Sequence, residues 1–144
     1  MKRHEAIAPL SRDHHGSLIL AQLLKINAPK YPGLPDNAKD KAGYAQQQFE
    51  AHIKQHFHLE EIMLEKAKDI HPSIKNLSEE IKTEHNQLRG LFQSLDTVND
   101  LEDKMNILAV ALEKHIRKEE RILFPLLQQH CSEVLLQEIY ELLH

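Results

Sequence analysis

Apolar residues recur along this chain at helical intervals, and no stretch alternates convincingly with the period of a strand. Proline and glycine supply the breaks. A first helix is predicted from Ser11, a good N-cap residue, to about Ala28, where Pro29 stops it. The following segment, Pro29–Asn37 (PKYPGLPDN), is dominated by proline and glycine and reads as a connection. A second, long helix runs from about Ala38 to Ile70 and stops before the His71-Pro72 step. The third covers Ser73 to about Leu95, and a turn at Asp96–Asp100 (DTVND) leads into a fourth that begins near Leu101. Pro125 should kink or end that helix, because it removes one i→i−4 hydrogen bond. A short helix, Ser132 to Leu143, completes the chain. Four long amphipathic helices with short links predict an all-α fold, an up-down-up-down four-helix bundle in one domain spanning 1–144.

The apolar stripes contain the wrong residues. On a helical wheel, Phe49, Ile53, Leu59, Met63, Ala67 and Ile70 cluster around His56, with Glu60 and His52 among them. Leu108, Ala111, Leu112, Ile122 and Leu126 surround His115 and Glu119 in the same way. The two stretches are a small internal repeat: residues 56–64 and 115–123 share His, Glu, Glu and a closing Leu. In the third helix His85 is in line with Ile74, Ile81, Leu88 and Phe92, and in the first His14 sits between Leu10 and the Leu18/Ala21 pair. His15 is about 100° off that stripe, which makes His14 the inward member, although Leu18 keeps His15 within reach of a neighbouring face.

Counted from the turns that join them, the four inward histidines fall at one height of the bundle to within about 3–6 Å. Glu60 and Glu119 fall there too. An unpaired buried carboxylate costs more than a fold's whole stability margin, and two facing each other would force one to take up a proton. Arg89 is the one cationic side chain near this layer. A bound cation resolves the conflict, since neutral imidazoles and ionised carboxylates are natural ligands. Four imidazoles and two carboxylates exceed the four ligands of one zinc, and two metals sharing bridging carboxylates fit the count better.

Composition narrows the alternatives. The chain has 144 residues, net charge −4, eleven histidines and one cysteine. With no run of Lys or Arg, nucleic acid and anionic membranes are poor partners. Cys131 alone excludes a disulfide framework and every cysteine-based zinc pattern. No signal-peptide segment and no long apolar span is present, so the expected location is the cytoplasm. No H-E-x-x-H, G-x-S-x-G, phosphate loop or dinucleotide fingerprint occurs. His52 reads as a ligand or as a hydrogen-bonding neighbour with equal ease. His4, His58, His71, His130 and His144 read as solvated, Glu61 and Glu120 as partners of the ligands or of surface cations, and Cys131 as a structural thiol.

These residues resemble the hemerythrin-like, or HHE cation-binding, family. The resemblance rests on Leu10-Ser-Arg-Asp-His-His15, His56-Phe-x-x-Glu60-Glu61, Glu84-His85 and, most specifically, His115-Ile-Arg-Lys-Glu119-Glu-Arg-Ile-Leu-Phe-Pro125. It implies a non-haem centre of two iron ions bridged by carboxylates, with His14 (or His15), His56, Glu60, His85, His115 and Glu119 as ligands. Two departures separate this chain from the oxygen-carrying members. Ile81 stands where those have a second histidine on the third helix, and where their fourth helix has its carboxylate five residues after the histidine, this chain has Glu119 at four and Glu120 at five. The expected function is binding or sensing of O2, NO or peroxide at an open iron position. The alternatives are a di-iron redox or iron-centre repair enzyme, and a metal-free helical interaction module.

Overall fold

The computed structural model describes residues 2–97 and 99–144, and all regular structure among them is helical. Seven α-helices form: α1 (Ala8–Leu24), α2 (Ala38–Gln48), α3 (Lys54–Ala67), α4 (Pro72–Gln93), α5 (Leu101–Lys118), α6 (Phe124–His130) and α7 (Glu133–Leu143). A π turn, Phe49–Ile53, joins α2 to α3, and a second, Glu119–Leu123, joins α5 to α6. Each pair is thus one long rod with a wide turn inside it. The four rods pack as a bundle: α5 lies against α1 and α4, α3 against α4 and α1, and α7 covers α3.

Three boundaries differ from those the sequence suggested. The first helix begins at Ala8, with Pro9 in its first turn and no side-chain cap. Ser11 lies inside it and donates its hydroxyl to Glu120 at 2.8 Å instead of capping. It also ends early, at Leu24, because Lys25 turns to extended backbone and Asn27 takes a left-handed φ of 65°. Pro125 neither ends nor breaks the fourth rod. The π turn before it places the Phe124 N–H on the Glu119 carbonyl, a wider i→i+5 closure that leads the chain past the missing donor. The expected Asp96–Asp100 turn includes Val98, which lies outside the described residues; Asp100 enters α5 with φ 53°.

The second π turn also resets the helical register. Ile122, assigned inward by uniform 100° steps, is 53% exposed, whereas Leu123, Phe124 and Leu127 are fully buried. Leu126 is only partly buried. Ile70 is exposed as well, because α3 stops at Ala67.

The apolar core has two parts. One gathers Leu20, Phe49, Phe57, Leu88, Phe92, Met105, Leu108 and Ile116; the other gathers Ile7, Leu10, Met63, Leu64, Ile74, Ile81, Leu123 and Phe124. Every rod passes from one to the other. His14, Glu60, His85 and Glu119 lie where each rod crosses between them, in a buried polar layer. No described helix is long and apolar enough to cross a membrane.

Candidate metal centre

All six inward polar residues read from the sequence meet in this layer. His14 is 3% exposed, His56 6% and His115 3%, while Glu60, His85 and Glu119 are at 0%. The i, i+4 spacing stacks each glutamate below its histidine on one helix face. His56 Nε2 lies 3.3 Å from Glu60 Oε1, and His115 Nε2 lies 3.4 Å from Glu119 Oε2. Across the bundle, His14 Nε2 is 2.9 Å from Glu119 Oε1 and His85 Nε2 is 3.1 Å from Glu60 Oε1. His14 and His56 bring their Nε2 atoms within 3.2 Å of each other.

The other nitrogen of every ring is held by a carboxylate from a neighbouring rod. Asp13 on α1 holds His56 at 3.0 Å, and Glu61 on α3 holds His85 at 2.7 Å. Glu84 on α4 holds His115 at 2.7 Å, and Glu120, beyond α5, holds His14 at 2.6 Å. Each of these carboxylates is the chain neighbour of an inward residue on its own rod, so the four links close a ring around the bundle. A carboxylate only accepts, hence each Nδ1 carries the hydrogen, and in a neutral ring the Nε2 lone pair points into the centre. That is the orientation in which metal-bound histidines are held.

Aromatic faces fix two of the rings further. His14 stacks on Phe124 with centroids 5.6 Å apart, and His85 stacks on Phe57 at 4.1 Å. Arg3 lies over the Phe124 ring while pairing with Glu120, and Arg89 lies over Phe57 while pairing with Glu61. Arg89 therefore serves the outer carboxylate and does not enter the layer.

Without a cation the layer balances its charge with protons. Burial lowers the pKa of His14, but hydrogen bonds to Glu119 and Glu120 outweigh it and raise it to about 9. Burial is likewise overcome at His56, raised to about 10 by the charge of Glu60 and the bond to Asp13, and at His115, raised to about 10 by the charge of Glu119 and by Glu84. Burial opposes ionisation of Glu60 too, yet the surrounding imidazoles, His56 foremost, hold its carboxyl well below the usual range.

Protons leave the centre incompletely satisfied. Among the described residues, three buried polar atoms have no hydrogen-bond partner: Glu60 Oε2, Glu119 Oε2 and His115 Nε2. Native interiors rarely tolerate this, and all three point to the same place. Two sets of four residues could each hold a metal ion: His14, His56, Glu60 and Glu119, and Glu60, His85, His115 and Glu119. Within each set one potential ligand atom per residue lies within 4.8 Å of the others, and both carboxylates belong to both sets. Neutral imidazoles with ionised carboxylates are the donor set of a transition metal, so the residues fit a metal cation.

The other histidines are placed differently. His15 and His52 are exposed, and the His52 side chain makes no hydrogen bond among the described residues; His58 is exposed as expected. Four expected to be merely solvated have partners, among them His144, which stacks on Tyr140 at 4.0 Å. His4 meets Glu133 at 3.2 Å, His71 caps α4 by accepting from the Ser73 N–H, and His71 stacks on His130 at 4.1 Å. Cys131 is buried, and burial pushes its thiol pKa up, as suits an inert side chain. Asp13, Arg3 and Lys118 were missed as partners of the centre. The Asp13-His14 and Glu84-His85 dipeptides carried a signal, because a residue one step from an inward histidine faces the next rod.

Comparison with known proteins agrees with this geometry. The family model described as the hemerythrin HHE cation-binding domain matches residues 5–127. No curated protein and no solved structure gives a match. With the family pattern running through all four rods and its histidines and glutamates gathered in one buried layer, the chain belongs to the hemerythrin HHE cation-binding domain family.

Proposed function

We propose that residues 1–144 act as a single cytoplasmic domain whose polar layer holds two iron ions, and that the protein binds or senses O2, NO or peroxide there. His14 and His56 serve one ion, His85 and His115 the other, and Glu60 and Glu119 bridge both. One observation carries this reading: the two four-residue sets share both carboxylates, which is the arrangement that lets Glu60 and Glu119 serve two neighbouring ions at once. When bound, the pair supplies redox-active metal with positions left open to a small ligand. The chain supplies the rest. The four Nδ1 partners fix the rings, and Phe57 and Phe124 exclude water from two of their faces. The two buried carboxylates offset half of the charge that two divalent cations would bring.

Iron-loaded protein, analysed for metal and titrated anaerobically with O2, NO and peroxide, tests the assignment. About two metal ions per chain and a change in ligand-to-metal absorption are expected. A metal content near zero would favour a metal-free interaction module, no spectral response would reject ligand binding, and catalytic loss of peroxide would make the protein an enzyme.

A further inference from the structure

The ring of outer carboxylates is anchored at three links and open at the fourth. Arg3 pairs with Glu120 at 3.1 Å, Arg89 with Glu61 at 2.8 Å, and Lys118 with Glu84. Asp13, which holds His56, has no cationic partner among the described residues. Its side chain is 55% exposed, against 28% for Glu120, 28% for Glu61 and 23% for Glu84.

The internal repeat shows what is missing. Aligning His56, Glu60 and Glu61 with His115, Glu119 and Glu120 sets Leu59 opposite Lys118; aligning His14 with His85 sets Asp13 opposite Glu84. One half of the centre thus has a long carboxylate clamped by an ammonium. The other has a carboxylate one methylene shorter, beside a half-buried leucine. At that open link a cavity of about 400 Å3 separates α1 from the second rod and reaches His56; Asp13, His15, Gly16, His52 and Leu59 also line it. Imidazoles and a carboxylate on its walls give it ligand character toward a divalent cation.

We propose that this cavity is the port through which divalent metal enters and leaves the centre, and that Leu59 and Asp13, in place of a Lys and a Glu, keep it open. The proposal rests on the two-ion reading above. It makes exchange asymmetric: the ion at His14 and His56 is the first to leave, and the ion at His85 and His115 is retained behind the Glu84–Lys118 clamp. Asp13 acts here as a positioning residue for His56, through the Nδ1 bond.

The test loads metal-free protein with Co2+, challenges it with excess EDTA, and follows cobalt per chain with time. Wild type is expected to lose one equivalent about tenfold or more faster than the other, the range over which partners of metal ligands act. Leu59→Lys should slow the fast phase, and Lys118→Leu should speed the slow one until the phases converge. Gly16→Phe gives a second route from the wall of the cavity, at a position where a Cβ meets nothing within 4 Å; filling the port should slow both uptake and the fast phase. Two ions lost in a single phase, or a fast phase indifferent to both Leu59→Lys and Gly16→Phe, would overturn the port while leaving the two-ion centre intact. Failure to take up cobalt at all would overturn both.

Discussion

Glu120 holds His14 Nδ1 at 2.6 Å from 106 residues further along the chain, and is itself held by Ser11 and Arg3. The ring of His14 is thereby aimed before any cation arrives. Glu120→Ala should free it and weaken metal affinity by about 10–100-fold, with the fold retained. Glu61→Ala should do the same through His85. Calorimetric titration with Co2+ measures both, and a loss confined to one variant would show that the ring does not act as a unit.

Glu60 and Glu119 belong to both four-residue sets, so one substitution removes a ligand from each. Glu60→Ala or Glu119→Ala should lower metal content from about two per chain to one or fewer. The metal-free variants should still fold, because each change also deletes a fully buried carboxylate. They should lose the rise in melting temperature that metal gives wild type. Two ions still bound, with unchanged stabilisation, would rule out bridging.

The histidine shifts give stability of the metal-free protein a definite pH dependence. His14, His56 and His115 are raised from 6.5 to about 9, 10 and 10 in the fold. Below pH 6.5 folded and unfolded chains are both protonated there, and the stabilisation is complete. Above it the unfolded chain gives up protons that the fold retains, so stability falls as pH rises toward 9–10. Glu60, shifted down, adds an opposite loss as pH falls through its depressed range. Melting temperature of the metal-free protein should therefore decline steadily above about pH 6.5. Metal binding requires neutral imidazoles, so affinity should climb over that interval and loading at pH 7 should release protons, which a pH-stat counts.

Two residues two positions apart report the register set by the second π turn. Phe124 is fully buried and Ile122 is 53% exposed. Phe124→Ala should cost about 3–5 kcal/mol in denaturant unfolding. Ile122→Ala should cost within about 0.5 kcal/mol. Equal costs would contradict the turn.

The bundle and its polar layer were legible because helical period and residue type are local properties. His14, His56, His85 and His115 could be placed at one height from turn counts alone. What escaped was set by contacts between distant segments. Uniform 100° steps cannot reveal a π turn, so they place Ile122 inward and give no sign that the helix continues through Pro125 to His130. Ser11 has every property of an N-cap, yet its hydroxyl is engaged by Glu120 from another rod. Arg3 and Lys118 look like ordinary surface cations until the rods assemble and bring Glu120 and Glu84 beside them.

Because the apolar core is divided, two apolar clusters are strung on the same four rods, with a band of ionisable groups as their common floor. Among the described residues, this band cross-braces all four rods through its ring of histidine–carboxylate bonds. A pair of ions set into it would work as a rivet. It would tie the two clusters together more firmly, so that the presence of metal would be felt as far away as the helix ends, in the rate at which their backbone amides exchange with solvent.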